Sequence, residues 1–264
     1  MTSKILIFTD LDGTLLDRET FKFESIKNFI KDLISKNVSI IPNSSKTNLE
    51  IINFNKDLDK KLPFIVENGA AIYGMNLINP SFPEKIVLSR DTDEILKIFN
   101  DGVPSKLASK CKFILKLKKE IQLKIFGLPE EKLSLALNRE YSIPIKFEGD
   151  RNEKNDLLKI LKKINLSLQE GGRVINLCDK VSKARAMIKV IKIFKKIENQ
   201  KIVTIGVGDN YNDLEMLKNS DIPCLVFNDK FKLDKINIDN CIVSRKPAPD
   251  GWEEVVKMAL DKVK

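Results

Sequence analysis

Residues 5–8 and 201–205 are short runs rich in apolar residues, and carboxylates follow each of them: Asp10 and Asp12 after the first, Asp209 and Asp213 after the second. A short apolar run with polar residues on both sides reads as a strand buried on both faces of a parallel sheet. Parallel strands need crossover helices, and the chain supplies them. Between residues 21 and 36, Ile26, Phe29, Ile30, Leu33 and Ile34 recur at helical spacing, and residues 38–41 resume a strand. Residues 47–54 read as a second helix, 64–66 as a strand, 67–69 as a turn and 70–73 as a possible hairpin return.

From residue 80 the character changes. Pro80 and Pro83 open a segment in which strands at 121–126 and 143–147 alternate with helices at 129–141 and 152–165. Gly171-Gly172 then punctuates a hairpin between 166–169 and 174–177. This predicts an inserted unit over 81–177, with 1–80 and 178–264 forming one core. After it, Ser182 caps a helix over 183–197 whose stripe is Ala184, Met187, Ile188, Ile191 and Phe194. A helix begins at 213–217, strands follow at 223–227 and 241–243, and 252–262 form a closing helix.

Composition removes whole classes of chemistry. The chain has no histidine, which excludes His-based phosphotransfer, Ser-His and Cys-His nucleophile pairs and His metal ligands together. A cysteine phosphatase needs five residues between Cys and Arg, whereas Cys178 to Arg185 has six and Cys241 to Arg245 has three. Cys111, Cys178, Cys224 and Cys241 form no CxxC pair, so buried free thiols are expected rather than a zinc site or disulfides. The net charge of +9 comes from Lys scattered among Glu and Asp, without aromatic interleaving, so no nucleic-acid partner is expected. No apolar run approaches the roughly 20 residues that span a bilayer. The first residues do not read as a secretory signal, so no membrane association and a cytoplasmic location are expected.

Chemistry therefore falls to carboxylates, Lys and hydroxyls. Asp10 and Asp12 stand two apart as a strand ends, so both side chains face one crevice, and Gly13 lets the backbone turn away. In an open parallel sheet that crevice is where ligands bind. A calcium loop needs more oxygen ligands, with a Glu at the twelfth position; here Leu15 and Leu16 follow at once. The segment 208–213 (GDNYND) repeats the arrangement on a second strand end, so Asp10 and Asp209 can share a magnesium ion. Ser44, in the run Ser44-Ser45-Lys46-Thr47, is placed to donate to a phosphoryl group, and Lys183 to neutralise the phosphate and Asp10.

With these residues in place, 9–17 (TDLDGTLLD), Ser44, Lys183 and 208–213 resemble the four motifs of the haloacid dehalogenase superfamily. Within it, 44–47 (SSKT), 66–69 (VENG), Arg139-Glu140-Tyr141 and Gly171-Gly172-Arg173 resemble the mannosyl-3-phosphoglycerate phosphatase family. The resemblance implies an α/β fold: a Rossmann-like, doubly wound parallel-sheet core with an inserted α/β cap of the large type. It implies Mg2+ held by the Asp10 side chain, the Asp12 carbonyl and Asp209, with Asp213 orienting them. Asp10 would be the nucleophile and Asp12 the general acid and base, with Ser44 and Lys183 completing the catalytic set. Arg139, Gly171, Gly172 and Arg173 would bind the glycerate end from the cap, with Ser45, Lys46, Asn68 and Asn212 contributing from the core.

The implied substrate is a small phosphorylated glycosyl-glycerate, and the implied product is mannosylglycerate, a compatible solute. The implied protein is a monomer or weak homodimer. Glucosyl-3-phosphoglycerate, sucrose phosphate and other sugar phosphates are alternative substrates of the same core, and a sugar phosphomutase is the alternative of a different class. A non-enzymatic binding module has no use for Asp12 beside Asp10.

Overall fold

The computed structural model describes residues 3–170, 174–198, 200–229 and 238–263. The chain begins with β1 (Lys4–Thr9), α1 (Lys27–Ser35), β2 (Ser39–Pro42), α2 (Asn48–Leu58), β3 (Phe64–Val66), β4 (Ala71–Tyr73) and β5 (Lys85–Val87). It continues with α3 (Thr92–Gly102), α4 (Ser105–Ala108), β6 (Cys111–Phe113), α5 (Lys119–Phe126), α6 (Glu130–Leu137), β7 (Ser142–Phe147), α7 (Arg151–Lys163), β8 (Leu166–Glu170) and β9 (Ile175–Asp179). It closes with α8 (Lys183–Ile197), β10 (Ile202–Gly208), α9 (Leu214–Lys218), β11 (Ile222–Leu225), β12 (Ile242–Val243) and α10 (Asp250–Asp261).

Five of these strands form a parallel sheet in the order β12-β11-β10-β1-β2. Side chains alternate across it. Ile7 of β1 and Ile205 and Val207 of β10 pack on one face with Ile30 and Leu33 of α1, Ile51 of α2 and Trp252 of α10. Leu6 and Phe8 pack on the other with Met187, Val190 and Phe194 of α8 and Met216 of α9. Helices on both faces explain why the first strand reads as an unbroken apolar run, as expected. The core is thus the doubly wound α/β sheet that the strand pattern implies.

Helix ends follow the capping chemistry of the sequence. Thr47 accepts from the Glu50 amide while Glu50 accepts from the Thr47 amide, a reciprocal box that starts α2. Ser182 accepts from the Arg185 amide at 3.2 Å and starts α8 at Lys183. Trp252 is fully buried and its indole N–H donates to Thr9 Oγ1 at 2.9 Å, fastening α10 beneath the end of β1.

A second, four-stranded antiparallel sheet runs β6-β7-β9-β8. Ile143, Ile145, Leu166 and Leu177 pack from one face of it on Ile95 and Phe99 of α3 and Leu157 and Leu161 of α7. Period-two alternation sends Ser142, Pro144 and Asn176 to the opposite face. A third, three-stranded sheet, β3-β4-β5, is antiparallel, and a bridge between Asn43 and Ile65 joins β3 to the end of β2. Pairing of β5 with β4 therefore carries this part of the chain past residue 81.

Several local expectations are corrected. Residues 121–126 form a helix, not a strand: Gln122 and Phe126, four apart, are the buried residues of α5, and Ile121 faces solvent. The edge strand beside β7 is instead the three-residue β6. The helix expected over 129–141 ends at Leu137, and the amides of Glu140 and Tyr141 bond to Glu67 instead of continuing it. The first long helix starts at Lys27 after a single 3-10 turn, and Phe21 takes a left-handed backbone with φ 59°. All four cysteines are free thiols, three buried and Cys241 partly so. Among the described residues no helix is long and apolar enough to cross a membrane.

Candidate active site

The carboxyl ends of β1 and β10 are neighbours in the sheet, and the amide of Asp10 donates to the Val207 carbonyl at 2.9 Å. Leu11, fully buried between them, anchors the turn while Asp10 and Asp12 line one cavity. Gly13 follows with φ 80°, and a Cβ there would lie 2.6 Å from the Arg18 guanidinium and 3.0 Å from the Asp209 carboxylate. Only glycine combines that backbone with that approach.

Lys183, at the start of α8 and 2% exposed, reaches across to both acidic clusters. Its Nζ lies 2.7 Å from Asp10 Oδ1 and 2.7 Å from Asp213 Oδ1. Burial alone would lower the pKa of this ammonium; the two carboxylates outweigh it and hold the pKa above the ordinary lysine value. Asp213 turns its second oxygen to the amides of Asp209 and Asn210, at 3.1 and 3.2 Å. Asp209 accepts from Thr14 Oγ1 at 2.9 Å and from Asn228 Nδ2 at 2.9 Å, and pairs with Arg18. Burial, with Asp213 and Asp10 adding repulsion, pushes the Asp209 carboxyl up to about 7.

The oxygens of Asp10, Asp209 and Asp213 lie within 4.8 Å of one another, close enough for one cation. Charge points the same way. The carboxylates of Asp10, Asp12, Glu50, Asp209 and Asp213 outnumber the cations Arg18, Lys46, Lys183 and Arg139 by five to four. Clustered carboxylates in excess of cations and an all-oxygen donor set suit a hard divalent ion.

Asp12 stands on the cavity side of this cluster. Its Oδ2 is 2.9 Å from Lys46 Nζ, while Oδ1 is buried with no partner among the described residues. Burial pushes its pKa up and Asp10 and Glu50 add to this, against the opposing pull of Lys46. Lys46 also meets Glu50 Oε1 at 3.4 Å. Burial would raise the Glu50 pKa, but Lys46 and Arg139 outweigh it and hold it low.

The cavity, about 320 Å³, is a cleft between the two large sheets. Asp10, Asp12, Ser45, Lys46, Asp209, Asn210 and Asn212 line it from one side, and Arg139, Phe126, Leu128, Ala136, Val174 and Asn176 from the other. Arg139 is held by the Ser45 carbonyl at 3.3 Å and Ser142 Oγ at 3.0 Å, and its Nε is buried without a partner among the described residues. Behind it, Glu67 accepts from the amides of Glu140 and Tyr141 at 2.9 and 3.2 Å and from the Ser142 hydroxyl. Thr47 Oγ1 adds a bond to the Leu135 carbonyl at 2.8 Å.

Of the residues singled out from the sequence, Asp10, Asp12, Ser45, Lys46, Arg139, Asp209 and Asn212 share the cavity wall, with Lys183 and Asp213 packed behind. Ser44 and Asn68 are buried and are not lining residues: Ser44 Oγ accepts from the Lys46 amide at 3.3 Å, and the Asn68 amide donates to the Ser44 carbonyl at 2.9 Å. Gly171, Gly172 and Arg173 lie outside the described residues. Sequence reading missed Arg18, Glu50, Glu67 and Asn176. Glu50 carried a signal, the Thr47-x-x-Glu50 capping pattern, whereas Asn176 carried none.

A family model of haloacid dehalogenase-like hydrolases matches residues 7–237. A glucosyl-3-phosphoglycerate/mannosyl-3-phosphoglycerate phosphatase from Persephonella marina is 31% identical, the alignment covering 98% of both chains. One of the same description from Methanococcoides burtonii is 28% identical over the same shares. Among solved structures, a Thermoplasma acidophilum protein superposes with a TM-score of 0.69 at 15% identity, covering 98% of each chain. The sucrose-phosphatase of a Synechocystis species does so with a TM-score of 0.63 at 15% identity, again over 98% of each. These structural likenesses speak for the fold, and the sequence match speaks for the lineage: the chain belongs to the haloacid dehalogenase-like hydrolase family.

Proposed function

We propose that this phosphoric monoester hydrolase is a magnesium-dependent phosphatase that converts mannosyl-3-phosphoglycerate to mannosylglycerate and phosphate, with the glucosyl analogue as its nearest alternative substrate. The observation that carries the reading is the pairing of roles across one cavity. Asp10 is held by Lys183 at 2.7 Å, and Asp12 offers beside it a buried oxygen with no partner among the described residues. The full-length likeness to two phosphatases named for both substrates supports the same choice.

In the proposed reaction an Asp10 oxygen attacks phosphorus, and the bond from phosphorus to the glycerate oxygen breaks. Asp12 gives its proton to that leaving oxygen. Water then attacks the aspartyl-phosphate, Asp12 takes a proton from it, and Asp10 is released with phosphate. The upward push of burial on Asp12 favours the protonated form that the first step needs. Asp10, Asp209 and the Asp12 carbonyl would hold magnesium, with Asp213 fixing their positions; the ion supplies charge neutralisation for the phosphoryl oxygens.

Lys183 holds Asp10 in place, and Ser44 shapes the loop through the Lys46 amide. The segment read as 81–177 acts as the cap, bringing Arg139 to grip the glycerate carboxylate, assisted by Lys46 and Ser45. Gly171, Gly172 and Arg173 are proposed to work beside it.

The test is phosphate release, with and without magnesium, from mannosyl-3-phosphoglycerate, glucosyl-3-phosphoglycerate, sucrose 6-phosphate and 3-phosphoglycerate. A marked preference for the glycosyl-phosphoglycerates, abolished in Asp10→Asn and reduced at least about 100-fold in Asp12→Asn, is expected. Equal weak turnover of all four would overturn the substrate, and turnover that survives Asp10→Asn would overturn the mechanism.

A further inference from the structure

Among the described residues, Asn176 is the one amide that the face of the β6-β7-β9-β8 sheet opposite its apolar core presents to the cavity. Its register places it opposite Pro144 in β7, one residue from Leu177 and Ile175, which point the other way into the core of α3 and α7. The residue is 2% exposed, and its Oδ1 is buried with no partner among the described residues. Its companions on this side of the cavity are Phe126, Leu128, Ala136 and Val174, none of which has a side chain that can hydrogen-bond, and Arg139, whose Nη1 is already engaged by Ser142 and the Ser45 carbonyl.

A buried amide without a partner is costly unless a ligand completes it. The chemistry of the neighbours narrows that ligand. Phosphorus is placed at Asp10 by the proposed reaction, and a carboxylate is best served by Arg139 and Lys46. Asn176 carries no charge. It offers an acceptor and a donor side by side, a pairing matched by hydroxyl groups, which both donate and accept. The apolar side chains around it suit the C–H face of a sugar ring.

We infer that Asn176 is a specificity residue that hydrogen-bonds hydroxyl groups of the hexose, so that the glycosyl end of the substrate lies against β9 while the glycerate lies at Arg139. This rests on the glycosyl-phosphoglycerate reading above and adds to it a position and a residue for the sugar.

The experiment is steady-state kinetics of the wild type, Asn176→Ala, Asn176→Leu and Asn176→Ser on mannosyl-3-phosphoglycerate, glucosyl-3-phosphoglycerate and the sugarless 3-phosphoglycerate. Leu is included because it fills the volume of the amide, and thermal denaturation confirms that each variant is folded. The ratio of kcat/KM for the glycosyl esters to that for 3-phosphoglycerate is expected to fall about tenfold in the Ala and Leu variants, the order of one neutral hydrogen bond. Asn176→Ser, which keeps a hydroxyl, is expected to fall less. Equal losses on all three substrates would show a merely structural side chain and overturn the inference. So would an unchanged ratio in a folded Leu variant. A wild type that does not prefer glycosyl esters over 3-phosphoglycerate would instead overturn the underlying substrate reading, so the two failures are told apart by the wild-type measurement.

Discussion

Lys46 Nζ lies 2.9 Å from Asp12 Oδ2 and 3.4 Å from Glu50 Oε1, so one ammonium from the loop after β2 balances two carboxylates of the cavity. Burial alone would drive Lys46 toward neutrality, but the two carboxylates outweigh it and hold its pKa above the ordinary lysine value. Lys46→Met leaves both acids facing an anionic substrate. A loss in kcat/KM of roughly 100-fold or more is expected, the order found for removing one preorganised charge-stabilising group. Lys46→Arg keeps the charge and should lose less. Steady-state kinetics of the pair decide the matter: equal losses would mean that shape at this position counts for more than charge.

Lys183 makes a sharper demand on stability. Its ammonium is the bridge between Asp10 and Asp213, at 2.7 Å from each, and all three side chains are buried. Lys183→Met removes one partner and strands two carboxylates. Without added divalent cation it should cost about 3–5 kcal/mol in urea denaturation. A cost below about 1 kcal/mol, typical of exposed pairs, would mean that water reaches the cluster freely.

Divalent cation should act on the same cluster. At a concentration about 100 times its dissociation constant, magnesium stabilises the fold by roughly 2.7 kcal/mol if it binds only the folded chain. The measurement is the thermal midpoint with and without magnesium for the wild type and Asp209→Asn. Because Asp209 contributes to the only group of three clustered carboxylates found among the described residues, the shift should shrink sharply in the variant. An equal shift in both proteins would put the ion elsewhere.

Away from the cavity, Asp179 at the end of β9 takes the Arg90 amide at 2.7 Å and its Nε at 3.0 Å, joining β9 to the stretch before α3. Burial would raise this carboxyl, but the Arg90 hydrogen bonds outweigh it and hold the pKa below the usual 3.8. A carboxyl depressed in the folded state adds stability that is complete above its unfolded value and is lost as pH falls through the folded one. The stability gap between wild type and Asp179→Asn should therefore be full at neutral pH and narrow progressively as pH falls below about 4. Denaturant midpoints taken from neutral pH down to about pH 3 test it; a gap that keeps its full neutral-pH size across that range would assign the effect to packing.

The parallel core was legible because its strands are buried on both faces and its helices carry unbroken stripes. Ser182 and the apolar stripe that follows marked α8 at both of its ends. The acidic clusters were legible because they fall where strands stop. The inserted region was harder. Ile121, Leu123 and Ile125 alternate with polar residues and mimic a strand, yet the buried pair is Gln122 and Phe126, a helical spacing that α5 uses to pack on its neighbours. Strands β5 and β6 are three residues each, too short to show a period. Asn176 and Glu67 owe their surroundings to partners far along the chain, and no local pattern announces either.

Glu67 grips the opposite wall of the cavity chiefly through the amides of residues 140 and 141, with the Ser142 hydroxyl as a third donor. Every residue except proline brings an amide, so this grip survives almost any replacement at those two positions. Replacements at residues 140 and 141 therefore leave that wall tied to the turn after β3, and in register with the carboxylates around Asp10.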